Sequence, residues 1–215
     1  MIVAEMTVRG IARRRASLAL LLALPLLFYL VRHDLPGQSV RFLALGLAWA
    51  ASTLALFAAL AARESEPRLR LSGWSWRALV GGRVAGLLAV TVLLALAYLA
   101  LVAVDRQVDR TPAVGLMLAV TACTGVVVGT ALGAAVRREL EGALALFIIA
   151  GLQFMADPPT LLAHLLPFWS TRELGTWAID GPDAASLGAA LIHAGATLLL
   201  GAAIIVALTA RRRPR

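Results

Sequence analysis

Long apolar runs alternate with short polar interruptions along the whole chain, and their lengths set the expected architecture. The runs at about 16–31, 42–62, 79–104, 113–136, 142–157 and 184–210 are nearly free of charge. A helix needs roughly 20 apolar residues to cross a hydrocarbon core roughly 30 Å thick. Within lipid, a helix is also the simplest way for a segment to satisfy its own backbone polar groups. The pattern therefore predicts an all-α integral membrane protein with six transmembrane helices, forming a single transmembrane domain over 1–215. The first run, which contains Pro25, is not followed by a small-x-small pattern before Arg32-His33-Asp34, so it reads as a retained anchor rather than a cleaved leader.

Two stretches do not fit a simple crossing. The fifth run is short and stops at Asp157-Pro158-Pro159, and residues 160–178 are amphiphilic but interrupted by Pro167. Irregular backbone at membrane depth is tolerated only where protein buries it or water reaches it. This stretch is therefore expected either as a re-entrant or interfacial helical hairpin or as a loop with a surface-lying helix. Residues 1–15 place Met1, Ala4, Val8, Ile11 and Ala12 only partly on one face, and a short surface helix leading into the first span is expected there.

Composition agrees with the membrane class: 60% of the 215 residues are hydrophobic and the mean hydropathy is +0.85. The net charge of +8 comes from arginine alone, because the chain has no lysine, and it has no asparagine either. That bias, with abundant Ala and Gly, suggests a GC-rich bacterial coding habit. The arginines flank the spans instead of forming a patch with aromatic stackers, so no nucleic-acid partner is expected. Fifteen of them (Arg9, Arg13, Arg14, Arg15, Arg63, Arg68, Arg70, Arg77, Arg83, Arg137, Arg138, Arg211, Arg212, Arg213, Arg215) fall on one side of a six-span arrangement. Arg32, Arg41, Arg106, Arg110 and Arg172 fall on the other. The positive-inside bias then predicts N-in/C-in topology in the inner (cytoplasmic) membrane. A single cysteine, Cys123, excludes an intrachain disulfide.

Several chemistries are excluded or unsupported. A standard P-loop needs a lysine to reach the phosphates, and none is present, so any ATP-driven work depends on another polypeptide. The histidines His33, His164 and His193 are scattered and form no visible metal set, there is no His-Glu-x-x-His, and no Gly-x-Ser nucleophile lies within an apolar run to meet a histidine on another span. The spans lack the buried carboxylates of an ion-coupled pump. His193 and Gln153 are the strongly polar intramembrane groups, and His193 reads either as a packing histidine or as a functional one. Glu139 and Glu141, beside Arg137 and Arg138, read as solvated ion pairs. Gly125, Gly129 and Gly133 share one helical face, suited to close packing within the protomer or to a dimer contact. Gly46, Trp49, Thr53 and Phe57 share a face of the second run with Ser52 at its border, which suits either a substrate lining or a helix interface.

The longest charged stretch, Arg63 to Arg77 followed by Gly82-Arg83, lies between the second and third runs. It sets Arg63, Arg68, Arg70, Arg77 and Arg83 against Glu64 and Glu66, with Trp74 and Trp76 at the expected headgroup level and bends expected at Pro67 and Gly73. Taken alone, it fits a cytoplasmic loop with interfacial tryptophans. The positions Arg63, Glu64, Glu66, Leu69, Leu71, Ser75, Trp76, Arg77, Gly82 and Arg83 resemble the connector between the second and third spans of ABC-2 type exporter permeases, with Pro67 where that family commonly has Gly. The stretch from Pro158-Pro159 through Leu166-Pro167 resembles the region before the family's last span. The resemblance implies a dimer of permease subunits, identical or related, driven by a separate P-loop ATPase that binds ATP and Mg. That ATPase would dock on Arg63, Glu64, Glu66, Arg68, Arg70, Trp74, Ser75, Trp76 and Arg77. It also implies a substrate path along Trp49, Ser52, Thr53, Phe57, Phe147, Gln153 and Phe154, and no cofactor or catalytic residue on this chain. Two other classes remain open on the sequence: a membrane-integral enzyme acting on lipid, and a non-catalytic immunity or scaffold protein.

Overall fold

The computed structural model describes residues 2–13, 15–106, 108–157 and 160–210. Arg14, Pro158, Pro159 and the basic tail 211–215 lie outside the described residues, as do the side chains at 15–18, 20 and 154. The elements are α1 (Ile2–Arg13), α2 (Arg15–Val31), α3 (Pro36–Leu71), α4 (Trp76–Arg106), α5 (Thr111–Ala135), α6 (Glu139–Met155), α7 (Leu161–Leu165), α8 (Trp169–Ile179) and α9 (Leu187–Ala210). Among the described residues there is no strand. Four of the helices, α3, α4, α5 and α9, are long and apolar enough to cross a membrane.

The central contact is between α3 and α5, which run parallel. Gly125, Gly129 and Gly133 of α5 lie directly on α3 at Ala48–Ser52, Ser52–Ala55 and Leu56–Ala59. A Cβ added at Gly125 would lie 2.8 Å from the Ala51 Cβ, and one at Gly133 would lie 2.6 Å from the Ala59 Cβ. The small-residue face thus packs within the protomer, as helices do where backbones must approach closely. Val114, Met117 and Leu118 of α5 fill the surrounding core with Leu43 and Leu47 of α3, and Val126 packs with Ala51 and Ala55.

α3 is 36 residues long, about 54 Å at 1.5 Å per residue, and does not stop where its apolar run does. The bend expected at Pro67 is absent: the helix continues to Leu71 with Pro67 exposed, so the missing N–H faces away from the packed side. Gly73, at φ 90°, ends it. The Trp74 N–H bonds the Leu69 carbonyl at 3.1 Å and the Gly73 N–H bonds that of Arg70 at 3.0 Å, the two bonds of a Schellman cap. We call this the connector end of the bundle.

α1 is not a free surface helix, as the weak amphipathic pattern had suggested. Val3 packs on Gly82, and Ala4 and Thr7 pack on Gly86, close approaches that the two glycines permit. Further along, the Tyr98 hydroxyl donates to the Leu22 carbonyl and the Tyr29 hydroxyl to the Asp105 carboxylate. α1 therefore runs along the first part of α4 in the same direction, whereas α2 packs mainly on α3, with Pro25 and Phe28 against Gly46, and reaches α4 through these two tyrosine bonds.

The short fifth run forms α6, whose 17 residues cover about 25 Å. Residues 160–179 contain the two short helices α7 and α8. α8 lies antiparallel to the first part of α5, with Thr171 bonded to Thr121 at 3.0 Å, Gly175 against Met117, and Arg110 donating to the Trp177 carbonyl. Its first turn therefore lies ten residues down α5, about 15 Å from that helix's start. Trp169, Ser170, Leu174 and Ala178 are buried there, so one face of α8 is packed into the helix bundle.

Candidate functional site

At the connector end the charged residues divide into two groups. Arg63 reaches across to α5, where its Nη2 donates to the main-chain carbonyls of Gly133 at 2.5 Å and Ala134 at 2.9 Å. Both carbonyls lie in the last turn of α5, so the guanidinium caps that helix. Arg70 Nη2 donates to the Thr209 carbonyl at 3.2 Å, joining α3 to α9. Glu66 pairs with Arg70 at 2.6 Å and with Arg83 at 3.6 Å, and all three side chains are 12% exposed or less. A buried carboxylate between two arginines is tolerated because each charge is compensated. Arg63, Glu66 and Arg70 thus join α3 to α4, α5 and α9.

The second group faces outward. Glu64, Arg68, Leu71, Ser75 and Arg77 are exposed. The Ser75 hydroxyl accepts the Ala78 N–H at 3.2 Å, capping α4. Trp76 is half-buried against Val80, Val127 and Ile205, and the Arg77 guanidinium lies 5.8 Å from its ring centroid. Trp74 is half-buried at the mouth of a cleft of about 320 Å³ between α1, α3 and α4, which Glu66 and Arg83 also line.

The expected substrate-path residues do not share one surface. Trp49, Thr53 and Phe147 come together at a cleft of about 310 Å³ between α3 and α6, with the Trp49 and Phe147 rings 6.2 Å apart. Ser52 is buried under α5 with its hydroxyl bonded to the Ala48 carbonyl at 2.7 Å, so it belongs to the helix interface. Phe57 lines the α1–α3–α4 cleft instead. Gln153 lies at the opposite end, in a third cavity of about 200 Å³. The Phe154 side chain lies outside the described residues. Residues 49, 53 and 57 share a helical stripe, yet α1 covers one part of that stripe and α6 the other. The sequence signal for α1's role was weak, and the grouping of Arg41, Arg172 and Phe168 with Gln153 had none.

The His193 Nε2–H donates to the His164 carbonyl at 2.9 Å, and the Trp169 ring centroid lies 4.4 Å from that of His164 and 5.1 Å from that of His193. These tilted ring contacts tie α7 and α8 to α9. No group of three His, Cys, Asp or Glu among the described residues could hold a metal ion.

Fold and site together define an all-helical protein of multi-pass membrane character with a charged, partly exposed connector at one end. Compared with known protein families, with the curated proteins and with the solved structures, the chain matches none.

Proposed function

We propose that the chain is the permease subunit of an ATP-driven ABC exporter of the ABC-2 type. In this reading it crosses the inner membrane six times, with α2 and α6 as the two shorter crossings, both ends inside, and α7–α8 as a re-entrant hairpin on the outer side. Two permease subunits work with two copies of a separate P-loop ATPase, which carries the ATP, the Mg and the hydrolysis.

The observation that carries the reading is the division of labour at the connector. Glu64, Arg68, Ser75 and Arg77 present an exposed polar tip, while Arg63, Glu66 and Arg70 bind the same hairpin to the ends of α5 and α9. A push on such a tip moves packed helices as rigid bodies instead of bending a loop, which is what alternation between two access states requires. ATP binding then biases the equilibrium by its different affinity for the two states. The membrane surface between copies, including Trp49, Thr53 and Phe147, forms the path for a hydrophobic or amphiphilic cargo.

The test is to purify the tagged chain in mild detergent from its own host and identify what accompanies it. A stoichiometric P-loop ATPase is expected. The double substitution Arg68→Glu, Arg77→Glu is expected to lose that partner while the permease keeps its thermal unfolding midpoint. Isolation of the intact parent chain without any ATPase would overturn the reading.

A further inference from the structure

The 200 Å³ cavity lies between α3, α5, α6 and α8, at the opposite end from the connector. Its lining has three chemical parts. Phe42, Leu45, Met117 and Phe168 supply an apolar trough. Gln153 is 8% exposed, and neither its Oε1 nor its Nε2 has a hydrogen-bond partner. Arg172 Nη1 donates to the Ala156 carbonyl at 3.0 Å, and among the described residues no carboxylate pairs with it, whereas Arg41 at the same cavity is neutralised by Asp180.

An amide withdrawn from water without partners costs free energy that a polar group of a bound molecule recovers. Thr171, the other uncharged hydrogen-bonding side chain in the lining, is already engaged with Thr121 at 3.0 Å. The cavity therefore offers one uncompensated positive charge, one free donor–acceptor amide and an apolar trough. Water alone would satisfy the amide and the exposed Arg172 but would leave the trough unfilled.

We propose that this cavity binds a singly anionic amphiphile. Its oxyanion head, a carboxylate or a phosphodiester, lies between Arg172 and the Gln153 amide, and the start of its alkyl chain lies along Phe42, Leu45, Met117 and Phe168. The site does not rest on the exporter reading, and losing it would leave the connector untouched.

The test uses the full chain in a sterol-based detergent that has no alkyl tail. Its thermal unfolding midpoint is titrated with dodecanoate, phosphatidylglycerol, dodecyltrimethylammonium and inorganic phosphate. A saturable rise is expected with the anionic amphiphiles and none with the cationic amphiphile or phosphate. A response to dodecanoate alone identifies a free acid as the ligand, and a response to phosphatidylglycerol alone identifies a membrane lipid. Gln153→Leu is expected to keep the unliganded midpoint and to weaken binding about tenfold, the worth of one hydrogen bond to a charged group. Arg172→Gln is expected to weaken it at least as much, and it provides the same test should the leucine variant fail to fold. Parent-like affinity in the folded variants, an equal response to the cationic amphiphile, saturable binding of phosphate alone, or no saturable response at all would overturn the proposal.

Discussion

The Glu66 side chain is 8% exposed, with Arg70 and Arg83 on its two oxygens. Removing one partner of a buried ion pair costs about 3–5 kcal/mol, because the remaining charges stay buried without compensation. Glu66→Ala is therefore expected to lower the detergent unfolding midpoint strongly. Glu64→Ala, at an exposed position two residues earlier, is expected to change stability by no more than about 0.5 kcal/mol. Thermal unfolding of the two variants side by side checks the difference, and equal midpoints would remove the network from the account. In sequence the two glutamates look alike, and both fit the connector pattern. Burial separates them: the packing of α3 beside α1 and α4 turns position 66 inward.

Among the elements, the pair of α3 and α5 depends on the absence of side chains at three places. At Gly129 a Cβ would run into the Ser52 carbonyl, a main-chain atom that cannot rotate away. Gly129→Val is expected to separate the helices and cost about 1–3 kcal/mol or more, the usual range for overpacking. Gly195→Val on α9, where no heavy atom lies within 4 Å of the new Cβ, is expected to cost far less. Unfolding midpoints of both variants check this, and a parent-like Gly129→Val would refute the close contact. The glycine spacing was legible in the sequence because period alone puts three residues on one face. The end of α3 was not, since Pro67 reads locally as a bend and only the Schellman cap after Leu71 shows where the helix stops.

For the whole molecule, the arginine asymmetry and the fold make a joint prediction about sidedness. In a Cys123→Ala background, Ser72→Cys at the connector is expected to react with an impermeant maleimide only after the membrane is opened from the inside. Asp183→Cys, before α9, is expected to react in intact cells. The opposite pattern would invert the orientation, and labelling of both from one side would reduce the number of crossings. The charged residues at the end away from the connector are bound to one another in a way that supports a common rim: His33 lies 3.2 Å from Asp105, Arg106 bonds the Tyr29 hydroxyl at 3.0 Å, and Arg41 pairs with Asp180.

The sequence alone determined the helical class, the membrane character and the places of the long apolar helices, because hydropathy over about 20 residues and backbone self-satisfaction in lipid are local properties. It also showed that no standard P-loop is present, since the required lysine is missing. Tertiary structure decided the rest. It put α1 along α4, took α8 about 15 Å down α5, and divided the connector into a buried network and an exposed tip. It also scattered the expected path residues over three cavities and gathered Gln153 with Arg41 and Arg172, residues far apart in the chain. The physical reason is that periodicity fixes which residues share a face of one helix, whereas the helix that covers that face is chosen by close packing between segments distant in sequence.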